Sequence, residues 1–337
     1  GGLGGIAGFV IGGPLIDGPG WGWIFFINIP VGVVVSAAVL RMMEPDGAPA
    51  GGRAFDVGGA ITVTGALAAL IYGISEVPRA GWGDARVLVS LAAFAVLAVA
   101  FVVIETRVSR PLVPLRLFAN PLLSGGNLLL LLMGMIVNGT WFVLTLYVQG
   151  MLNYSATGFG LLMLAPAAGS IVGAQLGQRL ASRFSPGALT AAGTGATAVA
   201  VVLLLRVSPD AGLLSVALAP VLIIGLAFGV GMVAASIAAL TGVPAADSGA
   251  ASGVKESAYM IGAPIGVALL SSVAVWGSDT ALDGGAAAAA AEINGYRMAF
   301  ITAAVLAAVV VTVALTMMRR RQSTPKPETV EDGVAAV

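Results

Sequence analysis

Residues 1–30 read GGLGGIAGFVIGGPLIDGPGWGWIFFINIP. Gly4, Gly8 and Gly12 recur every four residues, so on a helix they share one face and leave it without side chains. Membrane helices use such faces to bring backbones close together, because lipid supplies no hydrophobic force between them. Gly13 and Pro14 follow, and Trp21 and Trp23 lie just beyond, where an aromatic belt meets the headgroups. The expectation is a close-packing membrane helix, with Gly4, Gly8, Gly12, Gly13 and Pro14 as its packing device.

The rest of the chain repeats this apolar character. Of its 337 residues, 58% are hydrophobic and 9% charged, against about 25% charged in soluble domains. Mean hydropathy is +1.00. Ten apolar runs are candidate spans, at 1–16, 23–42, 57–75, 87–104, 122–147, 158–178, 187–206, 213–240, 257–276 and 297–318. Each is near the ~20 residues that cross a bilayer. The fold class is therefore all-α, a polytopic transmembrane helical bundle. The segment 277–296, with Gly284-Gly285 and an alanine run at 286–291, reads as a flexible or frayed loop.

There are no cysteines and no histidines, which removes disulfides, thiolate chemistry, histidine bases and the commonest zinc sites. No metal or cofactor is expected. Formal net charge is zero, so no nucleic-acid footprint is visible.

Residues 1–32 resemble the antiporter signature of major facilitator superfamily exporters, in particular the fourteen-span drug:proton antiporters of the EmrB/QacA type. The family's G-x-x-x-G-P-x-x-G-G run is matched by Gly4, Gly8, Gly12 and Gly13, with Phe9 where the family has proline. Its W-R-W-x-F-x-x-N-x-P-x-G loop is matched by Trp21, Trp23, Phe25, Asn28, Pro30 and Gly32, with Gly22 in place of arginine. Residues 105–118 and 249–253 resemble further family segments. The resemblance implies a major facilitator bundle with ten spans present of an expected fourteen, the chain beginning inside helix five. On that reading 1–42 ends the N-terminal half, 43–121 is an inserted helix pair with its loops, and 122–318 is a six-helix C-terminal half. Residues 319–337 form a disordered tail. Such halves are built from inverted three-helix repeats.

If the first span runs outward, twelve of the sixteen basic residues fall on the cytoplasmic side, among them Arg41, Arg107, Arg116, Arg179, Arg183 and Arg319 to Arg321. Only Arg79, Arg86, Arg206 and Arg297 fall outside. The positive-inside rule therefore favours a cytoplasmic C-terminus in the cell membrane.

The fifth span carries a polar and aromatic stripe. At 100° per residue, Asn127, Gly134, Asn138, Trp141, Thr145 and Gln149 fall within about 40° of one line. Amides in lipid are costly, so the stripe should face protein or water. It reads either as interhelical glue or as a wall of a central substrate path formed by Asn127, Asn138, Trp141, Thr145 and Gln149. Gly169, Gly173 and Gly177 form a second four-residue glycine repeat, and Gly262 and Gly266 flank Pro264. Both devices read as close-packing or hinge faces. The run Gly177 to Phe184 resembles the family's cytoplasmic gating motif, with one residue inserted and Ser182 where aspartate stands. Gly177, Arg179 and Arg183 are its candidate gate residues, and plain positive-inside anchoring is the other reading of the two arginines.

No Asp or Glu lies deep in a span. Asp17, Asp56, Glu76, Glu105 and Glu256 are near span ends, and Glu256 adjoins Lys255. The resemblance implies a secondary active transporter that exports amphipathic or cationic small molecules against protons, with its coupling acid in an early helix outside this chain. The partners expected are the substrate, protons and the bilayer; a periplasmic or membrane-fusion partner is left unassigned. One alternative is a transport-inactive fragment of such an exporter. Another is a membrane-embedded enzyme, which would need clustered acids, histidines or nucleophiles near the membrane surface.

Overall fold

The computed structural model describes residues 2–42, 56–108, 111–208 and 212–318. The tail 319–337, with Arg319 to Arg321, and most of the 43–56 connection lie outside the described residues.

The described residues form helices and connecting turns. α1 (Gly2–Asp17), the short α2 (Trp23–Phe26) and α3 (Asn28–Met42) lead into α4 (Val57–Ala80) and α5 (Ala85–Arg107). After a 3₁₀ turn at Leu115–Ala119 come α6 (Pro121–Thr145), α7 (Ala156–Leu180), α8 (Pro186–Leu203), α9 (Ala219–Leu240), α10 (Ser248–Asp283) and α11 (Ala288–Met318). Local chemistry sets many of the starts. Asp56, Asp84, Asn120, Ser155 and Ser185 each accept a backbone N–H from the first turn of the helix they precede. Asn120 and Ser185 are followed by proline at the first helical position, where its missing N–H and fixed φ cost nothing.

Nine helices are long and apolar enough to cross a membrane among the described residues, α2 and α3 counting together as Trp23–Met42. The tenth expected span, α1, is 16 residues long. The expected loop at 277–296 is largely helical: α10 runs to Asp283, Gly285 turns the chain at φ +83°, and α11 starts at Ala288. Alanine is the best helix former, so the run continues into α11 once the glycines are passed.

Helices α6 to α11 pack by a repeated rule. α6 packs on α10 as α9 packs on α7, and α6 meets α11 as α9 meets α8. Exchanging the triple α6–α8 with the triple α9–α11 therefore reproduces these pairings. Each of the two main pairs is a glycine seam. A Cβ at Gly139 would lie 2.7 Å from the Gly266 carbonyl oxygen, and Gly262 and Gly266 in turn press on the carbonyls of Leu131 and Met135. In the other seam a Cβ at Gly169 would lie 2.9 Å from the Leu222 oxygen, while Gly173 meets the Leu226 oxygen and Gly229 the Ser170 oxygen. Only hydrogen in place of a side chain permits such backbone approach.

The pair α4–α5 packs on itself and reaches α6–α11 through α4 against α10. α1 packs on α7, whereas α3 has no buried residue.

Candidate functional site

Between α6, α7, α9 and α10, with α1 at one side, lies a cavity of about 1090 Å³. Its α6 wall is Asn138, Trp141 and Thr145, which the helical period puts on one line. α10 adds Tyr259 and Pro264, α9 adds Phe228 and Met232, and α7 runs along it from Phe159 to Gln178. Asn138 organises the polar part: its Nδ2 donates to the Gly134 carbonyl at 2.9 Å and to the Tyr259 hydroxyl at 3.2 Å. Thr145 Oγ1 returns its proton to the Trp141 carbonyl at 2.8 Å. The Phe228 and Tyr259 rings lie 5.9 Å apart, tilted. None of the residues lining the cavity is charged. It offers aromatic, thioether and aliphatic surface with a few amides and hydroxyls, the chemistry of a pocket for an apolar ligand oriented by a small number of hydrogen bonds.

Tyr259 is the residue that sequence reasoning misses. It shares a helix face with Ala263, Pro264 and Val267, all on the cavity, and this four- and five-residue spacing is its only sequence signal.

The expected stripe on α6 is divided. Asn127, eleven residues before Asn138 and so about 16 Å along the helix, does not border this cavity; it borders a second one. Between them stands the α6–α10 seam, with Gly134 against the Tyr259 carbonyl. Gln149 borders neither cavity. It sits in a π-helical turn, Leu146–Met151, whose wider winding breaks the 100° step on which its alignment rests.

The glycines at the start of the chain are also arranged differently from expectation. Nothing lies within 4 Å of a Cβ placed on Gly4, Gly8 or Gly12, so that face is open within this chain. α1 instead meets α7 through Gly13, where a Cβ would be 2.6 Å from the Thr157 Cα, and through the Phe9 carbonyl, 2.7 Å from a Cβ on Gly160. Gly13 is rotated 100° from Gly12, and this one step decides which edge docks. Pro14 is exposed. Asp17 completes the contact: its two carboxylate oxygens accept the backbone N–H groups of Ala156 and Thr157 at 3.2 and 2.8 Å, where unpaired donors at a helix N-terminus favour an anion. The α1–α7 seam is therefore shut at the Asp17 end. The cavity runs beside this contact along α7 from Phe159 to Gln178, with Gly5 and Phe9 of α1 on its wall.

Of the gate residues, Gly177 is buried in the α7–α9 seam, 3.1 Å from the Val230 Cα as a Cβ would sit. Arg179 and Arg183 are exposed, and neither forms an ion pair among the described residues. Lys255 and Glu256 pair at 3.7 Å. Glu105, expected at a span end, is 4% exposed and accepts the N–H groups of Leu112 and Val113.

Residues 1–267 and 128–336 match the family model of the Major Facilitator Superfamily. The chain belongs to that superfamily. It is similar to the tetracenomycin C resistance and export protein of Streptomyces glaucescens, at 34% identity over 78% of this chain and 49% of that protein. It is also similar to the cephamycin export protein CmcT of Amycolatopsis lactamdurans, at 34% over 82% and 57%. With the multidrug resistance protein Stp of Mycobacterium tuberculosis it shares 29% identity over 82% and 51%. The chain spans about half the length of the curated relatives it matches. Membership of the superfamily and the nine long apolar helices among the described residues make it a multi-pass membrane protein of transporter rather than enzyme ancestry.

Proposed function

We propose that this chain belongs to a secondary active exporter of the fourteen-span, proton-coupled EmrB/QacA type in the cell membrane, and that it carries amphipathic or cationic small molecules by alternating access. On this reading 1–42 closes the N-terminal half, 43–121 carries the inserted pair and 122–318 is the C-terminal half, with the C-terminus cytoplasmic. The observation that carries the reading is the central cavity. It has the volume of a small-molecule site, it is bounded by four helices of one half plus α1, and Asn138, Tyr259 and Trp141 supply its polar and aromatic contacts. Relatives named for export of tetracenomycin C and cephamycin support a small-molecule cargo. The basic residues favour the Asp17 end as the outer one, so on this reading the α1–α7 contact closes that seam on the outer side.

No acidic or basic side chain lines the cavity, so proton coupling is assigned to an acid elsewhere in the protein. In Gly177, Arg179 and Arg183, the glycine fixes the end of α7 and the two exposed arginines are free to meet acids across the cytoplasmic opening.

The test is efflux of fluorescent amphipathic dyes from vesicles under an imposed pH gradient, for the wild type and for Asn138→Leu and Trp141→Ala. The reading expects gradient-driven efflux and an altered range of exported dyes in both variants at normal expression. Normally inserted variants with an unchanged dye profile would remove the cavity from the transport path.

A further inference from the structure

A second cavity, of about 820 Å³, lies where the inserted pair overhangs the six-helix body. It shares no lining residue with the central cavity. The α6–α10 seam separates the two, with the Leu131 carbonyl pressed on Gly262. Leu67 of α4, Phe101 of α5, Phe118 of the 3₁₀ turn, Leu128 of α6 and Val254 of α10 give it apolar walls. Phe118 and Leu128 are also 43% and 40% exposed, so the cavity opens on the outer surface of the bundle. Asn127 is the sixth residue after Pro121, about 9 Å into α6 and within one leaflet of the ~30 Å core.

The rim is tied down by the connection between α5 and α6. Glu105 holds the amides of Leu112 and Val113. Arg116 bonds both oxygens of Asp247 at 3.0 and 2.9 Å, and Asn120 Nδ2 donates to the Thr241 carbonyl at 2.9 Å. These contacts hold residues 112–120 against the end of α5 and the α9–α10 connection, so the cavity is framed on a fixed scaffold.

One polar group on its wall is left over. Asn127 is 6% exposed, and its Nδ2 donates to the Leu123 carbonyl at 2.8 Å. Its Oδ1 is buried with no hydrogen-bond partner. A buried acceptor without a donor is costly, and an apolar space of this size forfeits dispersion contacts when nothing fills it. One ligand chemistry answers both deficits. We propose that this cavity is a bilayer-accessible binding site for an uncharged amphiphile, whose apolar chain or ring lies between Leu67, Phe101, Leu128 and Val254 and whose hydroxyl or amide N–H bonds Asn127 Oδ1. The absence of charged lining residues disfavours an ionised headgroup inside it. A lipid of the surrounding leaflet and a membrane-dissolved cargo molecule share this chemistry.

The inference does not depend on the transport reading and is tested by binding. The purified protein in lipid nanodiscs is photolabelled with a diazirine-bearing long-chain alcohol and, separately, with its methyl ether. Label from both probes should concentrate on 112–131 and 249–261. Gly253→Phe should abolish it, since nothing lies within 4 Å of a Cβ at Gly253 and the ring has room to enter the cavity. Asn127→Leu should cut labelling by the alcohol about five-fold, the worth of one neutral hydrogen bond, and leave labelling by the ether unchanged. Label spread over the exposed faces of α3 and α5 and indifferent to Gly253→Phe would overturn the site. So would equal loss of both probes in Asn127→Leu, measured on protein whose melting temperature is unchanged. Suppression by an exported dye would identify cargo as the natural occupant, and a co-purifying neutral lipid displaced by the alcohol would identify the bilayer; either supports the site.

Discussion

Replacing Gly139 by alanine is the sharpest test of the seam that holds α6 to α10. The added carbon would sit 2.7 Å from the Gly266 carbonyl oxygen, 2.9 Å from the Gly266 carbonyl carbon and 2.8 Å from Leu270 Cδ1. Leu270 is fully buried and has little room to turn away. Ordinary carbon–oxygen contact begins near 3.4 Å, so the two helices must part by about 0.7 Å. Overpacking of this kind costs about 1–3 kcal/mol. The exchange also returns up to ~1 kcal/mol of helix propensity, which, taken in full, leaves a net destabilisation of roughly 0–2 kcal/mol. At about 2–4 °C per kcal/mol the melting temperature should fall by up to roughly 8 °C. Gly195→Ala in α8 is the control, because its nearest neighbour would be 3.8 Å away and only the propensity gain applies. Thermal unfolding in detergent, followed by tryptophan emission, reads both variants. A melting temperature for Gly139→Ala equal to or above that of Gly195→Ala would refute the idea that backbone contact at this seam requires glycine.

Further predictions concern the polar contacts. Tyr259→Phe removes the hydroxyl that Asn138 bonds but leaves Asn138 its Gly134 carbonyl; the bond lost lies within the protein, so stability should fall by about 1 kcal/mol. An unchanged melting temperature would show that the pair adds nothing to the α6–α10 contact. Asp17→Ala frees the first turn of α7 from α1, and because the chain has no cysteine of its own, a single Thr157→Cys reporter can follow it. That cysteine should react faster with a water-soluble maleimide in the Asp17→Ala background, and equal rates would show that the carboxylate does not hold the seam. Arg116→Ala leaves Asp247, 8% exposed, without its ion-pair partner. The arginine is largely solvent-exposed, so the expected cost is about 1–2 kcal/mol, less than for a buried pair. In a double-mutant cycle with Asp247→Asn, a coupling near zero would show that the pair contributes nothing.

Periodicity alone makes much of this molecule legible. The four-residue repeat of Gly169, Gly173 and Gly177 names a helix face, and that face is the α7–α9 seam. The polar line on α6 likewise puts Asn138, Trp141 and Thr145 together on the central cavity. What a period cannot give is the neighbour. Gly4, Gly8 and Gly12 share a face as cleanly as the α7 glycines, yet α1 docks by the adjoining edge at Phe9 and Gly13. Asn127 keeps its angular position on α6 but lies beyond the crossing with α10, so it faces a different space. Gln149 fails for a local reason, the π-turn that changes the winding. Tyr259 escapes notice because its only signal, the face it shares with Ala263, Pro264 and Val267, has no partner until α10 is set against α6.

The two glycine seams and the α1–α7 contact differ in kind, and that difference constrains how the central cavity can open. In α6–α10 and α7–α9, carbonyl oxygens of one helix lie on glycine Cα atoms of the other over successive turns. Sliding either helix would drive side chains into backbone, so each pair has to move as a unit. α1 meets α7 with such closeness only around Phe9 to Gly13, and its remaining attachment is the Asp17 carboxylate on two exposed amides. Those hydrogen bonds can be exchanged for water at little net cost, whereas the seams have no comparable substitute within the bilayer. An opening toward the Asp17 end must therefore part α1 from α7 while leaving α6–α10 and α7–α9 intact. Asn138 and Tyr259 bond across the α6–α10 pair and line the central cavity, so they would travel together and present the same polar surface on either side of the movement.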